Sequence, residues 1–305
     1  MTVDAQARQP RAVLLVTHTG RAEATSLARL AAERLQAAGL HVRIADTEAR
    51  EMALPGAEVV PGLPGAARGC ELVIVLGGDG TILRGAEFAR DTDAPLLGVN
   101  LGHVGFLAEA EEEALAAVVD RVVSRAYEVE ERMTLDVVVL RDGQEHASTW
   151  AVNEASIEKQ SRERMLEVVV EVDGRPLSRW GCDGIVCATP TGSTAYAFSA
   201  GGPVVWPEVQ ALLMVPLSAH ALFARPLVVA PTSVLAVELA QRTPDGVLWC
   251  DGRRTVDLRP GDRVEVRRGT QPLRLARLQH LAFTDRLVRK FDLPVDGWRG
   301  RSSRP

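Results

Sequence analysis

The stretch from Glu71 to Thr81 constrains this chain most, because the apolar run Leu72-Val73-Ile74-Val75-Leu76 stops abruptly at Gly77-Gly78-Asp79-Gly80-Thr81. A short β-branched run without polar alternation reads as a strand buried on both faces of a parallel sheet. Three glycines let the backbone approach a ligand closely, so that successive N–H groups form an anion-binding concavity. The residues from Thr81 to Phe88 have helical spacing, which puts the loop at a helix N-terminus, where phosphate binds well. Strand, glycine loop and helix together predict a phosphate site.

Asp79 is out of place in such a cradle. A carboxylate there repels its ligand unless it holds a metal ion or takes a proton from an attacking hydroxyl, and either role points to phosphoryl transfer. The plainer alternative is an aspartate that caps the helix or shapes the turn. The only lysines are Lys159 and Lys290, far from the loop in sequence, and G-x-x-x-x-G-K-[ST] is absent, which excludes an ordinary P-loop. Phosphate charge is therefore expected to be met by metal, arginine or backbone.

With 305 residues the chain is long enough for two domains, and 46% hydrophobic with 25% charged residues is the balance of an ordinary soluble protein. A net charge of -5 argues against a dedicated nucleic-acid binder. Cys70, Cys182, Cys187 and Cys250 lack C-x-x-C spacing and lie in or beside apolar runs, as buried small hydrophobes do. No run approaches 18 apolar residues and the first ten residues hold no apolar segment, so no membrane is expected and the location is expected to be cytoplasmic.

Along the chain, Ala12 to Val16 predicts a strand, Glu23 to Ala38 a helix closed by Gly39, and Leu40 to Ala45 a second strand, the start of an open parallel sheet. Residues 46 to 69, punctuated by Pro55, Gly56, Pro61, Gly62, Pro64 and Gly65, read as a surface loop, either a mobile flap or a solvated insertion. Pro95 to Val99 predicts a further strand ending in a second glycine loop, Asn100 to Leu107, and Glu111 to Ser124 a helix. From Met133 the pattern changes to period two. Thr134 to Arg141, Thr149 to Ile157, Leu166 to Val172, Pro176 to Trp180, Val234 to Leu239, Val247 to Cys250, Val264 to Arg267 and Leu273 to Leu278 predict a β-sandwich-like domain with Asp142-Gly143 and Asp173-Gly174 hairpin turns. Phe283 to Asp292 predicts a closing helix that packs back. The expected division is 1–130 for the α/β domain, 131–280 for the β domain and 281–305 for the C-terminal helix and tail.

Two polar stretches interrupt the β pattern. Asn153-Glu154 sits inside an apolar strand, and Asp183-Gly184-Ile185-Val186-Cys187-Ala188 runs into Thr189-Pro190-Thr191-Gly192-Ser193-Thr194-Ala195-Tyr196. An amide and a carboxylate at core positions are costly unless they meet polar partners. A satisfied turn network would supply them, and so would an adenine and ribose site.

Taken together, G-G-D-G-T at 77–81, N-L-G-H-V-G-F-L at 100–107, N-E at 153–154 and D-G-I-V-C-A-T-P-T-G-S-T-A-Y-A-F-S-A-G-G-P at 183–203 resemble the NAD kinases, in family order and over most of the chain. G-G-D-G-T alone is shared with phosphofructokinases and diacylglycerol-type lipid kinases, and the long second-domain motif makes the likeness specific. The resemblance implies transfer of a phosphoryl group from ATP, or from polyphosphate, to the 2′-hydroxyl of the adenosine ribose of NAD, with a divalent metal, Mg²⁺. It implies Asp79 as general base and substrate contacts at Gly80, Thr81, Arg84, Phe106, Asn153, Glu154, Asp183, Thr194, Ala195, Tyr196 and Ser199. Asp183 matches a residue that meets the nicotinamide half, often from a neighbouring subunit, so a homodimer or homotetramer is expected. Asp251-Gly252 resembles a late Asp-Gly turn of the family among more divergent neighbours, and Leu107 stands where several relatives carry an aromatic.

Overall fold

The computed structural model describes residues 10–20, 22–99, 115–278 and 282–295. The chain divides into two units, Met1–Glu131 with Arg274–Pro305, and Arg132–Leu273. The first contains β1 (Ala12–Thr17), α1 (Ala22–Ala37), β2 (His41–Ala45), α2 (Asp46–Ala49), β3 (Glu58–Val60), β4 (Leu72–Leu76), α3 (Asp79–Ala89), β5 (Leu96–Val99), α4 (Leu115–Val123) and β6 (Glu128–Arg132). The second contains β7 (Leu135–Arg141), β8 (Gln144–Ala151), β9 (Glu154–Lys159), β10 (Leu166–Val172), β11 (Arg175–Cys182), β12 (Gly184–Ala188), a 3-10 turn at Thr191–Thr194, α5 (Tyr196–Ser199), β13 (Leu212–Leu217), β14 (Leu227–Val229), β15 (Leu235–Leu239), β16 (Gly246–Cys250), β17 (Arg254–Leu258) and β18 (Arg263–Arg268). The chain then returns to the first unit with β19 (Leu273–Arg277) and α6 (Phe283–Phe291).

The first unit is built on a seven-stranded sheet in the order β3-β2-β1-β4-β5-β19-β6. β1 to β5 run parallel, and β1 and β4 are buried at every position, as their unbroken apolar runs require. From β1 the chain adds β2 and β3 on one side, and from β4 it adds β5 on the other. The order therefore reverses between β1 and β4, the point where open α/β sheets bind ligands at the strands' carboxyl ends. The glycine loop leaves β4 at that end. α1 buries Leu35 with Ala24, Ala28, Ala31 and Ala32, and the four alanines are small side chains that bring the helix close to the sheet. α3 approaches closer still: a Cβ on Gly85 would lie 2.5 Å from Val75 Cγ2 and 3.0 Å from Leu96 Cδ1.

The second unit packs two six-stranded antiparallel sheets, β11-β10-β15-β18-β7-β8 and β14-β13-β12-β9-β16-β17, around one apolar core. Val137, Val168 and Val264 come from the first sheet and Ile157, Ile185 and Leu248 from the second, with Trp180 fully buried among them. The hairpin turns have the positive φ that their sequence demands, 51° at Asp142 and 74° at Gly143, 54° at Asp173 and 71° at Gly174.

The structure departs from the sequence expectation in four places. Residues 46–69 are not an unstructured loop, because α2 and β3 form within them and β3 pairs with β2 in parallel register. Thr149 to Ile157 is not one strand: β8 and β9 belong to different sheets, and the chain crosses between them at Val152 and Asn153. Leu273 to Arg277 leaves the β-rich sheets and pairs parallel to β5, because a short apolar run fits either sheet until its partner is known. The strand β6 was hidden in a charged stretch, Glu128–Arg132, that carries no alternation. The second glycine loop at 100–107 and the start of the helix expected from Glu111 lie outside the described residues.

Candidate active site

In the first unit the carboxyl ends of β1 and β4 are tied together, with Thr17 Oγ1 donating to the Leu76 carbonyl at 3.4 Å and the His18 amide donating to the same oxygen at 3.3 Å. Gly77 follows with φ 157°, and a Cβ there would sit 2.6 Å from Thr81 Oγ1, so the loop closes on itself only with glycine. Gly78 is the N-cap of α3 and Asp79 its first residue. Gly78 and Gly80 face open space, with no atom within 4 Å of an added Cβ. That leaves the amides of the helix N-terminus accessible to an anion.

Asp79 Oδ1 is buried and accepts no hydrogen bond, so this oxygen caps nothing. An unsatisfied buried acceptor costs about 1–3 kcal/mol, and such a site is kept where a partner arrives during function. Oδ2 lies 3.6 Å from Lys290 Nζ on α6. Sequence separation had suggested that no lysine serves the glycine loop. Folding brings one there from the far end of the chain, through a closing helix whose position the sequence pattern left open.

Thr81 is buried against Gly77. Arg84, one turn further on, points back to α2: its Nη2 donates to Thr47 Oγ1 at 2.6 Å and lies 3.2 Å from Glu48 Oε1, and its guanidinium sits over the Phe88 ring. Glu48 is fully buried and also accepts the Thr17 amide. Burial pushes its carboxyl up to about 7, against the pull of Arg84 and the Thr17 amide. The Thr17–Glu48–Arg84 chain thus braces the glycine loop from the β1 side. Glu48 was not legible in advance, since an acidic residue in a Pro/Gly-punctuated segment reads as solvent-exposed.

In the second unit, Asn153 and Glu154 are each 8% exposed at the point where the chain crosses between sheets. Asp251 holds them. Its carboxylate accepts the amides of Val152 at 2.9 Å, Asn153 at 2.7 Å and, at a longer 3.4 Å, Glu154, and it receives Arg254 Nη2 at 2.8 Å. Asp251 itself takes φ 54°, which Asp tolerates in a turn before glycine. The Thr189–Thr194 turn closes on the same segment: Thr189 Oγ1 donates to Val152 O at 2.7 Å, the Thr189 amide donates to Asn153 O, and Gly192 lies so near the Asn153 backbone that no side chain fits. Ser193 Oγ donates to Pro190 O at 2.6 Å and accepts the Val205 amide at 2.9 Å. The hydroxyl-rich motif is therefore partly turn chemistry, with Thr189 and Ser193 consumed internally.

What this scaffold presents is Glu154, whose Oε2 accepts the Tyr196 amide at 3.3 Å. Burial first, and then the charge of Asp251, push the Glu154 carboxyl up to about 8. Thr194 and Ala195 are partly exposed, and Tyr196 and Ser199 are exposed beside it. The structure thus brings together Asn153, Glu154, Thr194, Ala195, Tyr196 and Ser199. Asp183 lies apart. Pairing of Gly184 with Glu158 and of Ala188 with Glu154 puts it beyond the opposite end of β12, five residues from the partner of Glu154 and so roughly 16 Å from it along the strand. It is half-exposed and pairs with Lys159 at 2.5 Å, which with Ser218 and His220 holds its carboxyl below the usual range. Phe106 falls outside the described residues.

Among the described residues no helix is long and apolar enough to cross a membrane, and no three His, Cys, Asp or Glu side chains cluster as metal ligands. All four cysteines are free and buried.

Comparison with known proteins bears on the whole chain. A family model described as the ATP-NAD kinase N-terminal domain matches residues 13–127, and one described as the ATP-NAD kinase C-terminal domain matches 152–278. A protein named NAD kinase 2 from Streptomyces coelicolor is 65% identical over 95% of this chain and 97% of its own length. A protein named NAD kinase from Thermobifida fusca is 62% identical over 96% and 93%. In fold the chain is similar to yeast NADH kinase solved with NADH, at a TM-score of 0.84, 24% identity and coverage of 97% and 91%. It is also similar to the Archaeoglobus fulgidus NAD kinase solved with ATP, at a TM-score of 0.71, 24% identity and coverage of 92% and 98%.

Proposed function

As a member of the NAD kinase family, with that family's phosphotransferase activity, this chain is one in which we propose that Asp79 is the general base of the transfer from ATP to the 2′-hydroxyl of the adenosine ribose of NAD. The observation that carries this reading is the buried Oδ1 of Asp79, an acceptor without a donor at the mouth of a phosphate-binding loop. The hydroxyl proton passes to that oxygen as the hydroxyl oxygen attacks the γ-phosphorus, and ADP leaves with the electrons of the broken P–O bond. Little covalent chemistry falls to the protein, so positioning and charge account for most of the acceleration.

The amides from Gly78 to Gly80 hold the phosphates at the positive end of α3. Asn153 and Glu154 bind the ribose and diphosphate of NAD, and Thr194, Ala195, Tyr196 and Ser199 line the adenine and nicotinamide sides, with Phe106 on the adenosine side. Arg84 acts through the Thr47 and Glu48 brace behind the loop, a positioning role supported by its bonds. The donor set fits a Mg²⁺ that arrives on the ATP phosphates and keeps much of its water, because the glycine loop offers amides and no carboxylate cluster. Bound there, the ion neutralises phosphate charge.

Asp183 meets the nicotinamide half of an NAD bound to a neighbouring subunit, which its separation from Glu154 within one chain favours. The protein is accordingly a homodimer or homotetramer, cytoplasmic, and divided functionally into 1–130, 131–280 and 281–305. Incubating it with NAD or NADH and with ATP or polyphosphate, and assaying NADP and NADPH, tests the reading. Absence of NADP from NAD and ATP with Mg²⁺ would overturn it.

A further inference from the structure

A cleft of about 360 Å³ in the first unit takes no part in the proposed transfer. Three arginines line it, Arg121 and Arg125 from the end of α4 and Arg277 from the end of β19, together with Tyr127 and Glu128. Arg125 reaches Glu71, the residue before β4, at 2.8 Å. The glycine loop leaves the other end of β4, so this wall of the cleft lies roughly 20 Å from Gly77 along the strand. No lining residue belongs to that loop or to the cluster from Asn153 to Ser199.

The end of α4 sets the two arginines in place. It closes in a Schellman turn, with the Ala126 amide donating to the Arg121 carbonyl at 2.8 Å and the Arg125 amide to the Val122 carbonyl at 3.1 Å. Glycine is the usual residue at the left-handed position of such a turn, and here Arg125 occupies it with φ 55°. An arginine kept there against backbone preference points to a use for its side chain. The ion pair with Glu71 is a weak reason, because the Arg125 side chain is 61% exposed and Arg11 already holds Glu71 at 2.5 Å. Arg121 folds back over the turn, its Nε donating to the Ala126 carbonyl at 3.2 Å, and among the described residues that is its side chain's only hydrogen bond, so both terminal nitrogens are left for a ligand. Arg277 is buried and engaged by Glu130, which fixes its guanidinium in the cleft wall. The α4 carbonyls of Val122 and Val123, which would repel an anion, are covered by the Arg11 guanidinium.

We propose that this cleft is a second anion site, built for a small molecule that carries a phosphate dianion. In the lining and directly behind it, Arg11, Arg121, Arg125 and Arg277 stand against Glu71, Glu128 and Glu130, so positive charge is in excess where the ligand sits. Guanidinium forks match phosphate oxygens, and three of them around one cleft offer one to each terminal oxygen of a phosphate monoester, whereas a carboxylate has only two oxygens. The volume exceeds what one phosphate group fills and lies at the small end of ligand sites, which leaves room for the organic part of a compact monoester. Tyr127 packs against the apolar core and gives that part an aromatic wall. Glu128, the acid of the lining, repels a ligand charged along its whole length, such as a polyphosphate chain.

Hydrogen exchange of the full chain during a titration with glycerol 3-phosphate tests this, together with the variants Arg121→Gln and Arg125→Gly. Exchange at residues 121–128 should slow as the probe is added, which separates this cleft from the glycine loop, where phosphate also binds. The Kd read from those residues is expected below about 1 mM, and succinate at equal ionic strength should bind there at least about tenfold more weakly. Arg121→Gln and Arg125→Gly should each lower the affinity by about fivefold or more, while kcat and the KM values for NAD and ATP stay within about twofold of wild type. Glycine suits the left-handed position, so Arg125→Gly should melt no lower than wild type. Unslowed exchange at residues 121–128, unchanged affinity in both variants, or succinate binding as tightly as the phosphate would each overturn the proposal. So would a fall in kcat of about tenfold or more in either variant, which would join the cleft to the reaction. A clear drop in the melting temperature of Arg125→Gly would make the Glu71 pair the reason for that arginine, and would overturn it too.

Discussion

Replacing Asp251 with alanine should do more damage than replacing any single residue that faces the nucleotide, because one carboxylate holds the whole Asn153-Glu154 crossing. Asp251 is 6% exposed and accepts close hydrogen bonds from the amides of Val152 and Asn153, besides the Arg254 guanidinium. Asp251→Ala leaves at least two buried amides without acceptors. At about 1–3 kcal/mol for each, with the loss of the Arg254 pairing added, the second unit should be destabilised by roughly 3–5 kcal/mol. Asp251→Asn keeps one acceptor oxygen and turns the other atom into a donor facing donors, so about half that loss is expected. Urea denaturation gives the stability. Hydrogen exchange at residues 152–154 locates the loss, and calorimetry with NAD should show affinity down by about tenfold or more, since a small misplacement of Glu154 spoils its contacts. A loss below about 1 kcal/mol with unchanged NAD affinity would refute the idea that this carboxylate organises the site.

Asp79→Asn keeps the shape of the loop and removes the proton acceptor, so kcat should fall by about 10²- to 10⁴-fold with NAD affinity nearly unchanged. Recovery of that variant on raising Mg²⁺ would assign Asp79 to the metal instead, and a magnesium titration of kcat separates the two. Glu154→Gln should weaken NAD binding by calorimetry and also change how stability depends on pH. Burial keeps the folded Glu154 carboxyl protonated up to about 8, against an ordinary value of 4.5, so the native chain binds the extra proton between those values and loses stability as pH rises through them. The neutral Gln side chain escapes that loss, and denaturation from pH 5 to 8 should show the variant gaining on wild type, with parallel curves as the refuting result. Light scattering at assay concentration should give a dimer or tetramer, and a fully active monomer would dismiss the assignment of Asp183 to a neighbour's nicotinamide.

The local chemistry of the first unit was legible from residues alone. The run Leu72–Leu76 is buried at every position because a central parallel strand is covered on both faces, and the glycines after it lie at the strand's carboxyl end. The Asp-Gly hairpins and the apolar spacing of α1 and α6 belong to the same class, being set by backbone dihedrals and periodicity within a few residues. Asn153 and Glu154 announced themselves as polar residues at core positions. Tertiary structure decided matters that depend on which distant segments meet. Leu273–Arg277 joins the parallel sheet and not the β-rich unit because its partner β5 lies there, and nothing within its five residues encodes that choice. Glu48, carried on α2 in a segment that composition marks as exposed, is buried where its carboxyl meets the Thr17 amide and the Arg84 guanidinium. Asp251 reaches Val152 and Asn153 across about a hundred residues, and Lys290 reaches Asp79 across about two hundred. Ion pairs and buried carboxylates of this kind cost nothing to leave unspecified in the sequence pattern, since a charged residue reads as solvent-exposed until the fold brings its partner to it.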